Sequence, residues 1–170
     1  SMNYIVLDLE WNQCPTGKED ELPGFPFEII EIGAVKLDED RNVIGEYSRT
    51  IRPQVYRRLH YKTKELLHMN MKELAQSKPF TAVAADFFAW CGEDYRICTW
   101  GITDLLEIQR NMKFYKFANP LPYPLLYYDV QKLFSLCYED GRSRKALSTA
   151  IEMLKIPEDR PFHRALDDAA

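Results

Sequence analysis

The apolar run Tyr4-Ile5-Val6-Leu7 ends on Asp8, and after Leu9 a second acid, Glu10, follows. A run this short and this rich in aliphatic side chains predicts a buried central strand. Side chains two apart on a strand share a face, so Asp8 and Glu10 stand side by side where the strand ends. Two neighbouring carboxylates repel each other, and burial penalises both. A bound cation offsets that cost, and paired hard oxygen ligands suit Mg²⁺ or Mn²⁺. Taken alone, the same two acids also fit an ordinary strand end.

A chain of 170 residues is the size of one compact domain, and its 46% hydrophobic and 13% aromatic content supports a packed core. No apolar stretch reaches the roughly 20 residues of a membrane span. The N-terminus lacks the basic-then-apolar order of a secretory signal. Cys14, Cys91, Cys98 and Cys137 are scattered, with no C-x-x-C pair. They read as reduced thiols of a cytoplasmic protein rather than a disulfide framework or zinc site. The net charge of −4 argues against general affinity for nucleic acid, but the charge is uneven. Between Arg49 and Lys64 lie six basic residues (Arg49, Arg52, Arg57, Arg58, Lys62, Lys64) and no acid. Arg142, Arg144 and Lys145 form a second cluster. A basic stripe beside a carboxylate cluster is what an enzyme handling a phosphate backbone needs. A solvated surface is the commoner source of any single charge run.

The loop from about Trp11 to Phe27 carries Pro15, Gly17, Pro23, Gly24 and Pro26 and leaves directly from the acid pair, so it is placed to fold over it. Residues 28–37 and 43–51 predict a hairpin turning through 38–42. Glu28 and Glu31 fall on opposite strand faces and read as structural. Helical character follows over residues 60–68, with Asn70 as a cap. A clearer helix runs from Ser77 and Pro79 to about Cys91, where Val83, Phe87 and Trp90 recur at core spacing. Residues 95–99 predict a strand. Thr103 caps a helix from Asp104 to about Tyr115, and residues 125–128 predict a last strand. Asp129 reads as the N-cap of a helix to Tyr138. Further helices are expected over 143–155 and from His163 onward. This order predicts an α/β sandwich around a mixed sheet whose second strand is antiparallel, in one domain spanning 1–170.

Asp104 follows a strand, and open α/β sheets bind ligands beyond the carboxyl ends of their strands. Acids also favour a first helical turn for its dipole alone. Near the end, His163 is followed by Asp167 and Asp168. On an ideal helix Asp167 shares the face of His163. If His163 lies in the loop before the helix, Asp168 is free to point inward. Spacing leaves both open.

Together these parts resemble the DEDDh family of 3′→5′ exonucleases. The family's D-x-E motif looks like Asp8-Leu9-Glu10, and its strand-two signature E-I-[IV]-x-[IV]-G-A-V is similar to residues 28–35. Its second-motif aspartate corresponds to Asp104. Its H-x4-D motif is matched by His163 and Asp168, which selects Asp168 by resemblance rather than by periodicity. Thr99-Trp100-Gly101 and the basic stretch look closest to the branch that trims histone messenger and small interfering RNAs.

The resemblance implies a ribonuclease H-like three-layer sandwich, with a five-stranded mixed sheet flanked by helices. It also implies two-metal phosphodiester hydrolysis. Asp8, Glu10, Asp104 and Asp168 would hold two Mg²⁺ or Mn²⁺ ions, His163 would be the general base, and nucleoside 5′-monophosphates would be released from single-stranded 3′-ends, RNA before DNA. Leu9, Trp11, His68, Met69 and Trp100 occupy the family's substrate-contacting positions, although Trp11 fits base stacking and core packing equally. Where the family carries a Leu-Thr-Gly-Ile-type turn, this chain has Leu66-Leu67-His68-Met69. The family's last helix normally continues, so disorder, trimming or a longer natural protein is expected beyond Ala170. The competing readings are a DNA exonuclease or proofreading-type module, a phosphodiesterase for short oligonucleotides or dinucleotides, and a binding module without activity.

Overall fold

The computed structural model describes residues 2–99 and 102–121, together with the backbone of 127–129. The central strand is β1, Asn3–Asn12. It is two residues longer at its carboxyl end than the acid pair alone implies. The predicted hairpin is present as β2, Glu28–Leu37, and β3, Val43–Thr50. Asp38 closes its turn by accepting the Asn42 amide at Oδ1, 2.9 Å away. Two short helices follow, α1 (Tyr61–Leu67) and α2 (Met71–Leu74). Asn70 caps the second, its Oδ1 accepting the Glu73 amide at 2.8 Å. Next come α3 (Phe80–Cys91), β4 (Tyr95–Thr99) and α4 (Ile102–Phe114).

The fold is α/β, with a five-stranded sheet in the order β3-β2-β1-β4-β5, where β5 is Tyr127–Asp129. β1 pairs antiparallel with β2 and parallel with β4, and β4 pairs parallel with β5. The sheet is therefore mixed, and β1 sits at its centre, as its uninterrupted apolar run requires. Two details differ from the sequence reading. α4 begins before Asp104, so Thr103 lies inside the helix and does not cap it. Asp129 is part of β5, opposite Thr99. The helix that Asp129 would cap lies outside the described residues. The helices expected up to Tyr138, over 143–155 and from His163 lie outside the described residues, as does Cys137.

Ile5, Leu7 and Leu9 point from β1 into one core with Ile32, Ala34 and Tyr47 of the hairpin. Phe80, Val83 and Phe87 of α3 and Leu105, Ile108 and Met112 of α4 fill the same core. Phe80 stacks on Tyr115 at 5.1 Å, and Phe87 meets Tyr47 edge-on at 5.3 Å. Full burial of side chains this large contributes about 1.5–3 kcal/mol each. Cys14, Cys91 and Cys98 are free thiols in the interior. Burial pushes Cys98 up to about 12, which marks a packing residue and not a nucleophile.

The loop leaving β1 is stapled at its far end. Phe25 is fully buried and stacks on Phe114 at 4.0 Å, and Cys14 and Tyr56 complete that small core. The Tyr56 hydroxyl donates to the Phe25 carbonyl at 2.6 Å and accepts the Leu22 amide at 3.1 Å. These contacts hold the far end of the loop against Tyr56 and α4. Among the described residues, no helix is long and apolar enough to cross a membrane.

Candidate active site

Asp8 and Glu10 are half-buried near the carboxyl end of β1, two residues apart and on one face. Opposite Asp8 stands Gly33 of β2, and opposite Glu10 stands Glu31. A Cβ on Gly33 would come within 3.4 Å of the Asp8 carbonyl. Directly opposed residues of an antiparallel pair share a face, so Glu31 joins Asp8 and Glu10 there, where like charges across a ladder repel. From the twofold strand repeat alone, Glu28 and Glu31 are expected on opposite faces, whereas the pairing puts them opposite Asn12 and Glu10, two apart on β1. The missing signal was the register, which no local pattern reveals.

A bulge follows at once. The pairing steps from Glu10–Glu31 to Trp11–Ile29, leaving Ile30 as an extra residue. Bulges bend a strand and re-aim its side chains, and they recur beside active sites. The displaced backbone is satisfied from α4. Asn111 Oδ1 accepts the Ile29 amide at 3.0 Å, while its Nδ2 donates to the carbonyls of Phe27 at 3.0 Å and Glu107 at 2.9 Å.

Asp104 is on the first turn of α4 and is 0% exposed. The Leu9 amide donates to its Oδ2 at 3.4 Å. Leu9 is the residue between Asp8 and Glu10, so two segments 95 positions apart meet at the acid pair. Burial penalises the Asp104 carboxylate, and the helix N-terminus and the Leu9 amide offset part of that cost. The described residues thus bring Asp8, Glu10 and Asp104 to one end of the sheet. His163 and Asp168 lie outside them. Among the described residues, no three His, Cys, Asp or Glu side chains are grouped closely enough to hold a metal ion.

The residues at substrate-contacting positions divide by exposure. The Leu9 side chain is 1% exposed and belongs to the core, so only its backbone faces the site. Trp11 is half-buried, packs on the core and lies against Phe27 with ring centroids 5.2 Å apart. His68 is exposed and closes α1 in the left-handed region at φ 50°, a position glycine or asparagine usually takes. Met69 follows, half-buried. Trp100 is outside the described residues.

Glu28 has a structural role. Its carboxylate accepts the amides of Gln54 (2.8 Å), Val55 (3.0 Å) and Tyr56 (2.8 Å) and the Tyr115 hydroxyl (2.7 Å). Glu107, one turn along α4 from Asp104, is also buried. Its Oε1 pairs with Arg110 Nη1 at 2.9 Å, and its Oε2 has no hydrogen-bond partner. Burial raises its pKa, and Arg110 opposes the shift. A raised folded-state pKa means that the neutral form is favoured in the fold. That stability is present at pH below the ordinary carboxylate pKa and is lost as pH rises through the raised value. Glu107→Gln, neutral at every pH, is therefore expected to lose this pH dependence and to be the more stable chain at pH 7. Urea midpoints of the two chains should converge near pH 4, about the ordinary glutamate pKa; equal midpoints at pH 7 would remove the burial argument.

Known proteins resemble this chain. A Bacillus subtilis (strain 168) protein named "Probable 3'-5' exonuclease KapD" is 29% identical over 175 residues, covering 98% of this chain and 79% of that protein. The nuclease domain of 3'hExo, described as a DEDDh family member bound to rAMP, superposes with a TM-score of 0.65 at 19% identity, over 98% of this chain and 86% of that one. E. coli exonuclease I, solved with a 5cy-dT13 oligonucleotide, gives a TM-score of 0.68 at 15% identity, over 99% of this chain but 42% of that one. At these identities the two structures establish the fold. The family model for exonucleases, RNase_T, matches residues 5–170, and the chain therefore belongs to that family of exonucleases.

Proposed function

We propose that the protein is a DEDDh-type exonuclease of the histone-messenger-trimming branch, which removes nucleotides from the 3′-ends of single-stranded nucleic acid, RNA in preference to DNA. The contact that supports this reading is the Leu9 amide on Asp104 Oδ2, which ties the first turn of α4 to the residue between Asp8 and Glu10. The KapD relative supports the 3′-5′ polarity, and the rAMP-bound 3'hExo supports the preference for RNA. We propose residues 1–170 as a single exonuclease domain, supported by one continuous sheet and a family match from residue 5 to residue 170. A cytoplasmic setting belongs to the same proposal, and the free thiols support it.

The donor set at the sheet end is all carboxylate oxygen, which fits hard divalent cations such as Mg²⁺ or Mn²⁺. Asp8, Glu10, Asp104 and Asp168 would hold two of them, and bound there they would supply an activated water and charge neutralisation at the scissile phosphate. His163, with an ordinary pKa of about 6.5, takes the proton of the attacking water near neutral pH. The new bond forms between that oxygen and phosphorus, the bond to the 3′-oxygen breaks, and a nucleoside 5′-monophosphate leaves. The backbone at Leu9, together with Trp11, His68, Met69 and Trp100, would surround the terminal nucleotide.

The test uses 5′-labelled RNA and DNA strands of one sequence with Mn²⁺ or Mg²⁺. The expected result is a ladder shortening from the 3′-end, faster on RNA, with 5′-monophosphates as product and no cleavage in EDTA. Internal cleavage, 5′-to-3′ shortening or cleavage unaffected by EDTA would overturn the reading. Faster DNA hydrolysis would overturn the RNA preference alone.

A further inference from the structure

The first residue of α1, Tyr61, is 62% exposed, an unusual position for a large aromatic side chain. Its ring lies against that of His60, with centroids 4.6 Å apart and planes 29° from parallel. His60 is fixed from two sides. Its Nδ1 accepts the Lys62 amide at 3.1 Å, and its own amide donates to Asn12 Oδ1 at 2.9 Å. Asn12 closes β1 and also holds the carbonyls of Tyr56 at 3.1 Å and Arg58 at 3.0 Å through its Nδ2. Thr63, further along α1, donates its hydroxyl to the Trp11 carbonyl at 3.5 Å. The two rings are thus tied to the strand that carries Asp8 and Glu10. One face of Tyr61 is covered by His60.

The surroundings indicate the occupant. Arg57, Arg58, Lys62 and Lys64 are exposed on the same segment, and the Lys62 ammonium sits 6.0 Å above the Tyr61 ring. No acid occurs between Arg49 and Lys64. Cations around an open ring complement a polyanion that carries planar bases. Leu66 is exposed nearby, but an apolar partner would leave four cations to desolvate without partners.

We propose, resting on the exonuclease reading above, that Tyr61 backed by His60 stacks a base of the single strand upstream of its 3′-terminal nucleotide, with Arg57, Arg58, Lys62 and Lys64 on the flanking phosphates. Asn12 lies about 7 Å along β1 from Glu10 at the usual strand rise, and the His60 amide is bonded to its side chain. The platform therefore serves strands longer than a dinucleotide. Because His60 is already locked, little side-chain freedom is lost when the base arrives.

The experiment compares the full chain with Tyr61→Ala and Tyr61→Trp on a 12-nucleotide strand and on a dinucleotide, both with Mn²⁺. Tyr61→Ala is expected to lower kcat/KM on the 12-mer roughly tenfold, the scale of one lost base–aromatic stack. Hydrolysis of the dinucleotide and the thermal midpoint should be unchanged, and Tyr61→Trp should restore the 12-mer rate. The Kd of the labelled 12-mer in EDTA, read by anisotropy, should rise by the same factor in Tyr61→Ala. Equal losses on both substrates, or an unchanged Kd, would overturn the platform. A natural chain that releases no mononucleotide would overturn the exonuclease reading instead, while the Kd comparison still decides the platform.

Discussion

Asp104→Asn is expected to leave the fold standing and to lower kcat/KM by about a thousandfold or more. The two halves of that expectation have separate causes. Structurally, Asp104 is 0% exposed and accepts the Leu9 amide at 3.4 Å. Asparagine has nearly the same volume, and its side-chain oxygen can accept the same amide. The urea midpoint should therefore stay close to that of the natural chain. Chemically, asparagine brings no charge, and an amide is a weaker ligand for a hard divalent cation than a carboxylate. Charge stabilisation at a metal-assisted phosphoryl centre is worth several kcal/mol, and each 1.36 kcal/mol is tenfold in rate. Asp104→Ala is the contrasting variant. It strands the Leu9 amide and leaves a void, so it should lose about 1–3 kcal/mol of stability as well as activity. An active Asp104→Asn enzyme would reduce Asp104 to a strut for β1 and sink the site as proposed.

The parts of this site written locally in the sequence were legible, and the parts written across the fold were not. β1, the hairpin, β4 and α3 carry their own periodicity, and Asn70 announces its cap. The pairing of Asp8 with Glu10 needs only the twofold repeat of a strand. The meeting of Asp104 with Leu9 depends on where α4 docks. The position of Glu31 opposite Glu10 depends on a register that a one-residue slip would invert. The bulge after Glu10 left no local trace, because it exists only in the pairing of β1 with β2, and its satisfying partner, Asn111, lies 82 residues from Ile29. Nothing local in the sequence distinguishes Asn111 and Glu107 from ordinary polar positions on a helix. Their burial beside the sheet turns them into a column running from Asp104 toward Phe27.

Glu28 is the residue whose loss should cost the fold most. Its carboxylate is 1% exposed and carries four short hydrogen bonds, three of them from consecutive backbone amides. Consecutive amides converging on an anion are a strong arrangement, because each bond is charge-assisted and the backbone is already turned inward. The fourth donor is dependable: burial first, then the bond to Glu28 and its charge, hold the Tyr115 phenol well above its ordinary pKa. Glu28→Gln keeps the shape but turns one acceptor into a donor that faces other donors. Oε2 takes Gln54, Val55 and Tyr115 while Oε1 takes Tyr56, so either orientation of the amide breaks at least one bond. A loss of about 2–4 kcal/mol is expected at about 1–3 kcal/mol per stranded buried group. Against a total of about 5–15 kcal/mol, that is a large share, and it should move the urea midpoint down by about 1–2 M. Tyr115→Phe alone should cost about 1 kcal/mol. Combined with Glu28→Gln it should cost less than the sum, because the bond can be lost only once. The segment released is 54–56, which leads directly into Arg57 and Arg58. Near folding conditions, Glu28→Gln should therefore raise KM on a long strand more than it lowers kcat. An unchanged urea midpoint, or a kcat loss with KM intact, would show that the segment is held by something other than this carboxylate.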